Sequence, residues 1–162
     1  MEIVRIDPTT AEKIAPLAAA FRVTLDSYRG ITSQPDPERG KEEILEFLSL
    51  GYPVFAAADG EEYAGYIVCR IEDPCLWVEQ FYVLPGYRRR GIASEMFCKA
   101  EELAKMMGED TVFNYVHPNN DGMIAFLRSK GYTVLNMIEI RKPYKNERLR
   151  TTISVAGNVF DY

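Results

Sequence analysis

The residues best placed to do chemistry lie between Tyr82 and Phe97, in the stretch YVLPGYRRRGIASEMF. An apolar run stops at Pro85, and three arginines, Arg88, Arg89 and Arg90, precede Gly91. Ile92, Ala93 and Ser94 then open an apolar repeat. Read as strand, loop and helix start, this order aims unpaired backbone amides and the positive end of a helix dipole at one spot. Gly91 lets a ligand approach the backbone closely, and Ala93 keeps the first turn uncrowded. Guanidinium forks suit phosphate oxygens. The chemistry expected here is the binding of a diphosphate. Two common phosphate loops are excluded. Gly86 and Gly91 have the glycine spacing of the triphosphate loop, but Ile92 and Ala93 stand where Lys and Ser or Thr are required. The pattern G-x-G-x-x-G of dinucleotide binding is absent.

Little else in the chain competes. Cys69, Cys75 and Cys98 lack metal-ligand spacing and His117 is the single histidine, so no metal site is expected. Three free thiols suit a reducing compartment. The net charge of −5, from 24 acids and 19 bases, weighs against nucleic acid and mildly favours a cationic or amine-bearing substrate. No stretch of about 18 apolar residues is present, so no membrane partner is expected. The opening MEIVRIDPTT lacks the basic-then-apolar plan of a secretory signal. A cytoplasmic protein is expected.

The elements that must hold the loop follow from periodicity. Glu2 to Ile6 alternates as a short strand. Ile14, Leu17, Ala18, Phe21 and Leu25 share one face of a helix from Thr10, its expected cap, to about Arg29. RGITSQPDPERG reads as a loop bordering a site, and helical spacing resumes from Lys41 to Leu50. Two strands flank an Asp59-Gly60 turn, and CLWVEQFYVLP is a third. Ile92 to Met107 is the longest clear helix, ended by Gly108. TVFNYV is a strand, NNDGMIAFLRSKGY a helix ending at Gly131, and TVLNMIEIRK a strand. The order β-α-α-β-β-β-α-β-α-β defines a mixed α/β domain, with a sheet flanked by helices. One domain spans 1–162, and the tail 143–162 adds a last strand. That tail could pair across subunits or cover a sheet edge, which leaves a homodimer open.

Arg88, Gly91 and Ala93 form R-x-x-G-x-A after FYVLPGY, and YVHPNNDGMIAFLRSKGY follows at a fitting distance. Together they resemble the GNAT superfamily of acetyl-CoA-dependent N-acetyltransferases, whose loop reads Q/R-x-x-G-x-G/A. Asn120, Phe126, Gly131 and Tyr132 match that family's second motif. The resemblance implies a mixed, mostly antiparallel sheet whose two parallel central strands splay apart. Here those strands are Trp77 to Val83 and Thr111 to Val116. It implies that backbone groups of Phe81, Tyr82 and Val83 pair with the pantetheine arm. Amides from Arg89 through Arg90, Gly91, Ile92 and Ala93 to Ser94 would hold the pyrophosphate. Arg88 could bind phosphate or point to solvent. Asn120 could contact pantetheine or simply cap its helix.

The resemblance also implies direct transfer to an amine, which must be deprotonated first. Glu79 is the candidate base, set against a role as a surface or paired carboxylate. On a regular strand Glu79, Phe81 and Val83 would share one face. The family's usual thiolate-protonating tyrosine is Leu127 here, and Tyr115 and His117 are the substitutes within reach. The activity expected is acetylation of a small-molecule primary amine by acetyl-CoA. The alternatives are a peptide N-terminal or lysine acetyltransferase, and a non-catalytic acyl-CoA-binding module.

Overall fold

Strands β1 (Glu2–Arg5), β2 (Val54–Asp59), β3 (Glu62–Glu72) and β4 (Cys75–Val83) form an antiparallel meander, and β5 (Phe113–Asn114) lies parallel to β4. The sheet order is β1-β2-β3-β4-β5. The turn at Asp59-Gly60 is as the sequence predicts, and Gly60 takes φ 64° there. A computed structural model describes all residues, 1–162, which fall into two compact units, Met1–Phe126 and Leu127–Tyr162.

In the first unit, helix α1 spans Ala11–Tyr28 and α2 spans Pro37–Ser49. The start of α1 corrects one expectation. Thr10 makes no side-chain cap; instead the Asp7 carboxylate accepts from the Thr9 and Thr10 amides at 2.8 and 3.1 Å. The Thr10 hydroxyl turns back as well, donating to the Asp7 carbonyl and accepting the Asp7 N–H, so these bonds close the turn before Ala11. Helix α2 also begins earlier than Lys41. Asp36 accepts from Arg39 N–H, and Pro37 occupies the first turn, where its missing donor costs nothing. Gly40 faces α1, and a Cβ there would fall 2.5 Å from the Ala15 carbonyl oxygen, so the two helices cross as closely as they do only because it is glycine.

Both helices cover one face of the sheet. Ile14, Leu17 and Ile44 pack with Val54, Ala56, Tyr66 and Val68 in a single buried cluster. Burying each large apolar side chain of this kind contributes about 1.5–3 kcal/mol relative to exposure. On the opposite face, Phe81 meets Phe97 of α3 (Ile92–Met106) at 6.1 Å between ring centroids and Phe126 at 5.7 Å. No helix is long and apolar enough to cross a membrane.

Helix α4 (Asp121–Ser129) ends where expected: Gly131, at φ 89°, and Tyr132 donate back to the Arg128 and Leu127 carbonyls. In the second unit the sequence expectation fails in one place and is exceeded in another. TVLNMIEIRK forms no strand. A strand exists only as one member of a ladder, and high β propensity does not supply a neighbour. The tail makes two strands rather than one: β6 (Thr152–Val155) and β7 (Asn158–Asp161) pair antiparallel across Ala156 and Gly157, both at positive φ as a tight hairpin requires.

Candidate active site

The site is built where β4 leaves its neighbours. Strand β5 pairs with β4 only at Trp77–Phe113 and Val78–Asn114, although TVFNYV reads as a longer strand. Beyond Val78, β4 runs on to Val83 with β3 on one side only. Backbone groups of Gln80 to Val83 that face away from β3 therefore lack a strand partner. An extended amide-bearing ligand could take that place.

Beyond the end of β4, a single 3-10 turn at Pro85–Tyr87 delivers the arginines. Gly91 caps α3 at φ 86°, a conformation that costs other residues about 1–2 kcal/mol, and a Cβ built there meets nothing within 4 Å. Glu95 makes the first intrahelical bond, to the Gly91 carbonyl, so the Ile92, Ala93 and Ser94 amides precede the ladder. Open space above a left-handed glycine, three helix-start amides and a helix dipole fit an anion. Arg88 is exposed and anchored at once. Its Nε donates to the Val83 carbonyl at 2.9 Å, and its guanidinium lies over the Tyr82 ring, which ties the loop to the strand end. Arg90 lies over Tyr87. Arg89 takes positive φ, 63°, immediately before the cap.

Glu79 is placed by a feature that a regular strand lacks. Val68 pairs with Gln80 while its neighbour Cys69 pairs with Val78, so Glu79 is the extra residue of a β-bulge. The bulge resets the alternation. Phe81 pairs with Ile67 and packs on α3, whereas Glu79 reaches Arg70, the cross-strand partner of Trp77. The expectation that Glu79 and Phe81 share a face is thereby corrected. Tyr66 and Tyr82, paired across β3 and β4, lie under Phe21 of α1, and Tyr66 donates to buried Gln80 at 2.7 Å. Burial pushes the Tyr66 hydroxyl pKa up, so it stays a donor.

Around Glu79 stands a cluster that sequence reasoning did not assemble. Trp77 stacks on Tyr115 at 4.6 Å between ring centroids and meets Phe113 at a tilt, at 4.8 Å. The Arg70 guanidinium lies 5.3 Å from the Trp77 ring centroid and 5.8 Å from that of Tyr115. Arg70 Nε is 2.9 Å from Glu79 Oε2, an ion pair whose angle does not make a hydrogen bond, and Arg70 also pairs with Glu72. Burial disfavours the Arg70 charge, but the two carboxylates and Tyr115 more than restore it. Asn114 gives its Nδ2 to the Val112 carbonyl, and its Oδ1 is buried with no partner. Only register could have gathered these residues, because they come from three strands.

The two suggested replacements for a thiolate acid differ in setting. Tyr115 is exposed beside the cluster. His117 stacks on Tyr28 at 5.6 Å and accepts the Asn119 N–H on Nδ1. Burial, with help from Arg29, lowers its pKa and favours the neutral ring. Asn119 also donates to the Tyr28 carbonyl, fastening the end of α1 to the loop after β5. Asn120 accepts from Met123 N–H at 3.1 Å, which makes it the cap of α4. Leu127 is buried and apolar.

Residues 19–132 match the acetyltransferase (GNAT) family, which covers most of the chain. The chain belongs to the GNAT family and is an acetyl-CoA-dependent N-acetyltransferase. No curated protein matches it in sequence. Among solved structures it is similar to the aminoglycoside acetyltransferase AAC(6')-Iy in complex with a CoA-S-monomethyl-acetylneamine bisubstrate analogue. The TM-score is 0.65 at 18% identity, over 88% of this chain and 98% of the other. It is also similar to apo AAC(6')-IG of Acinetobacter haemolyticus, at TM-score 0.67 and 18% identity, over 90% and 100% of the two chains. A third similar structure is a ribosomal-protein-alanine N-acetyltransferase of Brucella melitensis biovar Abortus 2308, with TM-score 0.67, 13% identity, and coverage of 89% and 100%. At these identities the likeness is one of fold.

Proposed function

We propose that the chain acetylates a primary amine of a small molecule, with Glu79 as the base. The observation that carries this reading is the bulge at Glu79. It sets a carboxylate beside an aromatic wall of Trp77, Phe113 and Tyr115, next to the place where β4 and β5 part. Carboxylates and aromatic faces are what a cationic amine favours. Acetyl-CoA supplies the acetyl group as a thioester. The chain's own residues would divide the rest of the work. Amides of Arg89 to Ser94 hold the pyrophosphate, and strand groups of Phe81, Tyr82 and Val83 pair with the pantetheine arm beside Asn120. Glu79 takes the proton that the amine must lose before its nitrogen can attack. Arg70 fixes the carboxylate.

A small amine is favoured over a peptide by the net charge of −5 and by the aminoglycoside enzymes among the similar folds. The three free thiols suit a reducing, cytoplasmic setting. The test is release of the coenzyme A thiol with a panel of diamines, aminoglycosides and peptides bearing free N-termini. Turnover with a small amine is expected. Turnover with peptides alone would overturn the small-molecule acceptor. Acetyl-CoA binding with no turnover on any amine would instead establish a non-catalytic binding module.

A further inference from the structure

Strand β1 is an edge of the five-stranded sheet, whereas α3 packs chiefly over β2, β3 and β4. Arg5 pairs with Phe55, and Ile3 with Ala57. Strand alternation turns Ile3, Arg5 and Phe55 toward the α3 side, opposite to Val4, Val54 and Ala56 in the core under α1. Facing them, Lys99, Glu102, Leu103 and Met106 recur at i, i+3, i+4 and i+7, one stripe of α3. Between strands and stripe lies a groove of about 350 Å³, within the size range of small-ligand sites.

Its lining joins an apolar surface to one uncompensated charge. Ile3, Phe55 and Leu103 are half-buried, and Met106, in the last turn of α3, is 75% exposed. Lys99 is neutralised by Glu102 at 2.9 Å. The Arg5 guanidinium has no ion pair and no hydrogen bond. A guanidinium offers a planar fork of donors that matches a carboxylate and repels an amine. The stripe from Lys99 to Met106 is about 10 Å long, the length of a chain of about eight carbons. Nothing in this groove belongs to the transfer site. Gly91 and Leu103 are about 18 Å apart along α3, and β1 lies about 14 Å across the sheet from β4.

We propose that the groove between β1–β2 and the C-terminal half of α3 is a second ligand site, for a small amphipathic carboxylate. The anionic head pairs with Arg5, and an aliphatic chain lies over Phe55, Leu103 and Met106. The head must be an anion, because a neutral head leaves the Arg5 fork unused and a cationic one meets like charge. The chain must be apolar, because it is the half-buried Phe55 and Leu103 and the bare Met106 that gain from being covered. The site does not depend on which amine the enzyme acetylates.

Sodium octanoate, kept below its micelle concentration, is the probe, titrated into protein saturated with coenzyme A so that the thioester channel is filled. Amide chemical shifts should move saturably at residues 3–5, 55–57 and 99–106, and octylamine, of equal length and opposite charge, should move none of them. Arg5→Gln should weaken octanoate binding by about tenfold or more, and Met106→Ser by about threefold, with acetyl-CoA affinity unchanged in both. That unchanged affinity shows that the fold survives. Shifts that do not saturate, or that fall outside the groove, would overturn the proposal. So would octylamine binding as well as octanoate, or an Arg5→Gln variant with undiminished affinity. Groove resonances that move with protein concentration alone would assign the face to a second copy instead, and would overturn it too.

Discussion

The phosphate loop and the amine face adjoin the same strand, yet they are made from different parts of the chain. From Arg88 to Ser94 the groups proposed to hold the pyrophosphate are backbone amides, and the side chains of Arg88 and Arg90 brace the loop: Arg88 holds the Val83 carbonyl and Arg90 covers Tyr87. Around Glu79 the groups proposed to meet the amine are side chains from β3, β4 and the β5 end, gathered by one bulge and by the register it resets. A backbone site tolerates most side-chain changes and is broken through conformation. A side-chain site is broken by the loss of a single functional group.

Gly91→Val strikes the backbone site at its weakest point. A β-branched residue must adopt φ near 86° and place its Cβ in the space that a pyrophosphate would fill. Two hydrogen bonds to charged oxygen are worth about 3–6 kcal/mol, so acetyl-CoA affinity should fall roughly a thousandfold by calorimetry. The melting temperature should change little by comparison. Unchanged affinity would remove the loop from the site. Arg89→Ala, by contrast, should keep most of the affinity, because what the loop needs from position 89 is its backbone.

At the amine face the same logic predicts the opposite pattern. Glu79→Gln keeps the shape and removes the proposed base, so kcat should fall by about a hundredfold while acetyl-CoA affinity stays as it was. The deficit should be largest below the pKa of the acceptor amine and narrow above it. A pH–rate profile equal to that of the unaltered enzyme would exclude Glu79 as the base. Arg70→Lys should cost less, roughly tenfold in kcat, because an ammonium keeps the charge near Glu79 but cannot lie flat over Trp77 and Tyr115. A drop in acetyl-CoA affinity in that variant would mean that the two regions are not separable.

The same contrast explains what could be read from the sequence. Gly91, the small Ala93 and the strand before them lie within a dozen residues, and local chemistry dictated the loop, so it was legible along with the order and type of most elements. Glu79 was legible as a carboxylate near the splay. Its direction was not, because a bulge shows only when two strands are laid side by side. Arg70, Trp77 and Tyr115 are far apart in sequence and ordinary one by one. The bond from Arg88 to the Val83 carbonyl is not legible in the sequence, because a phosphate fork and a carbonyl clamp use the same guanidinium. TVLNMIEIRK has the composition of a strand, yet a ladder needs a neighbour, and propensity alone cannot name one. Thr10 does not cap α1 because its hydroxyl is held by the Asp7 backbone, a tie that periodicity does not reveal.

The smallest effect lies at the only histidine, in the loop after β5. His117 rests on Tyr28 and takes the Asn119 amide on Nδ1, an arrangement that requires that nitrogen to be unprotonated. Burial first, and Arg29 second, lower its pKa from the ordinary 6.5. The unfolded chain therefore takes up a proton at a higher pH than the folded one. Stability should be lost as the pH falls below about 6.5 and level off once the folded ring also titrates, so the slope is positive with pH within that window. A single imidazole makes the measurement clean: its proton resonance in the folded protein should titrate below 6.5, and in urea near it. His117→Gln should remove this part of the acid sensitivity from the melting curve while leaving acetyl-CoA affinity unchanged. A folded midpoint at or above 6.5 would show that the Asn119 contact does not hold the ring neutral.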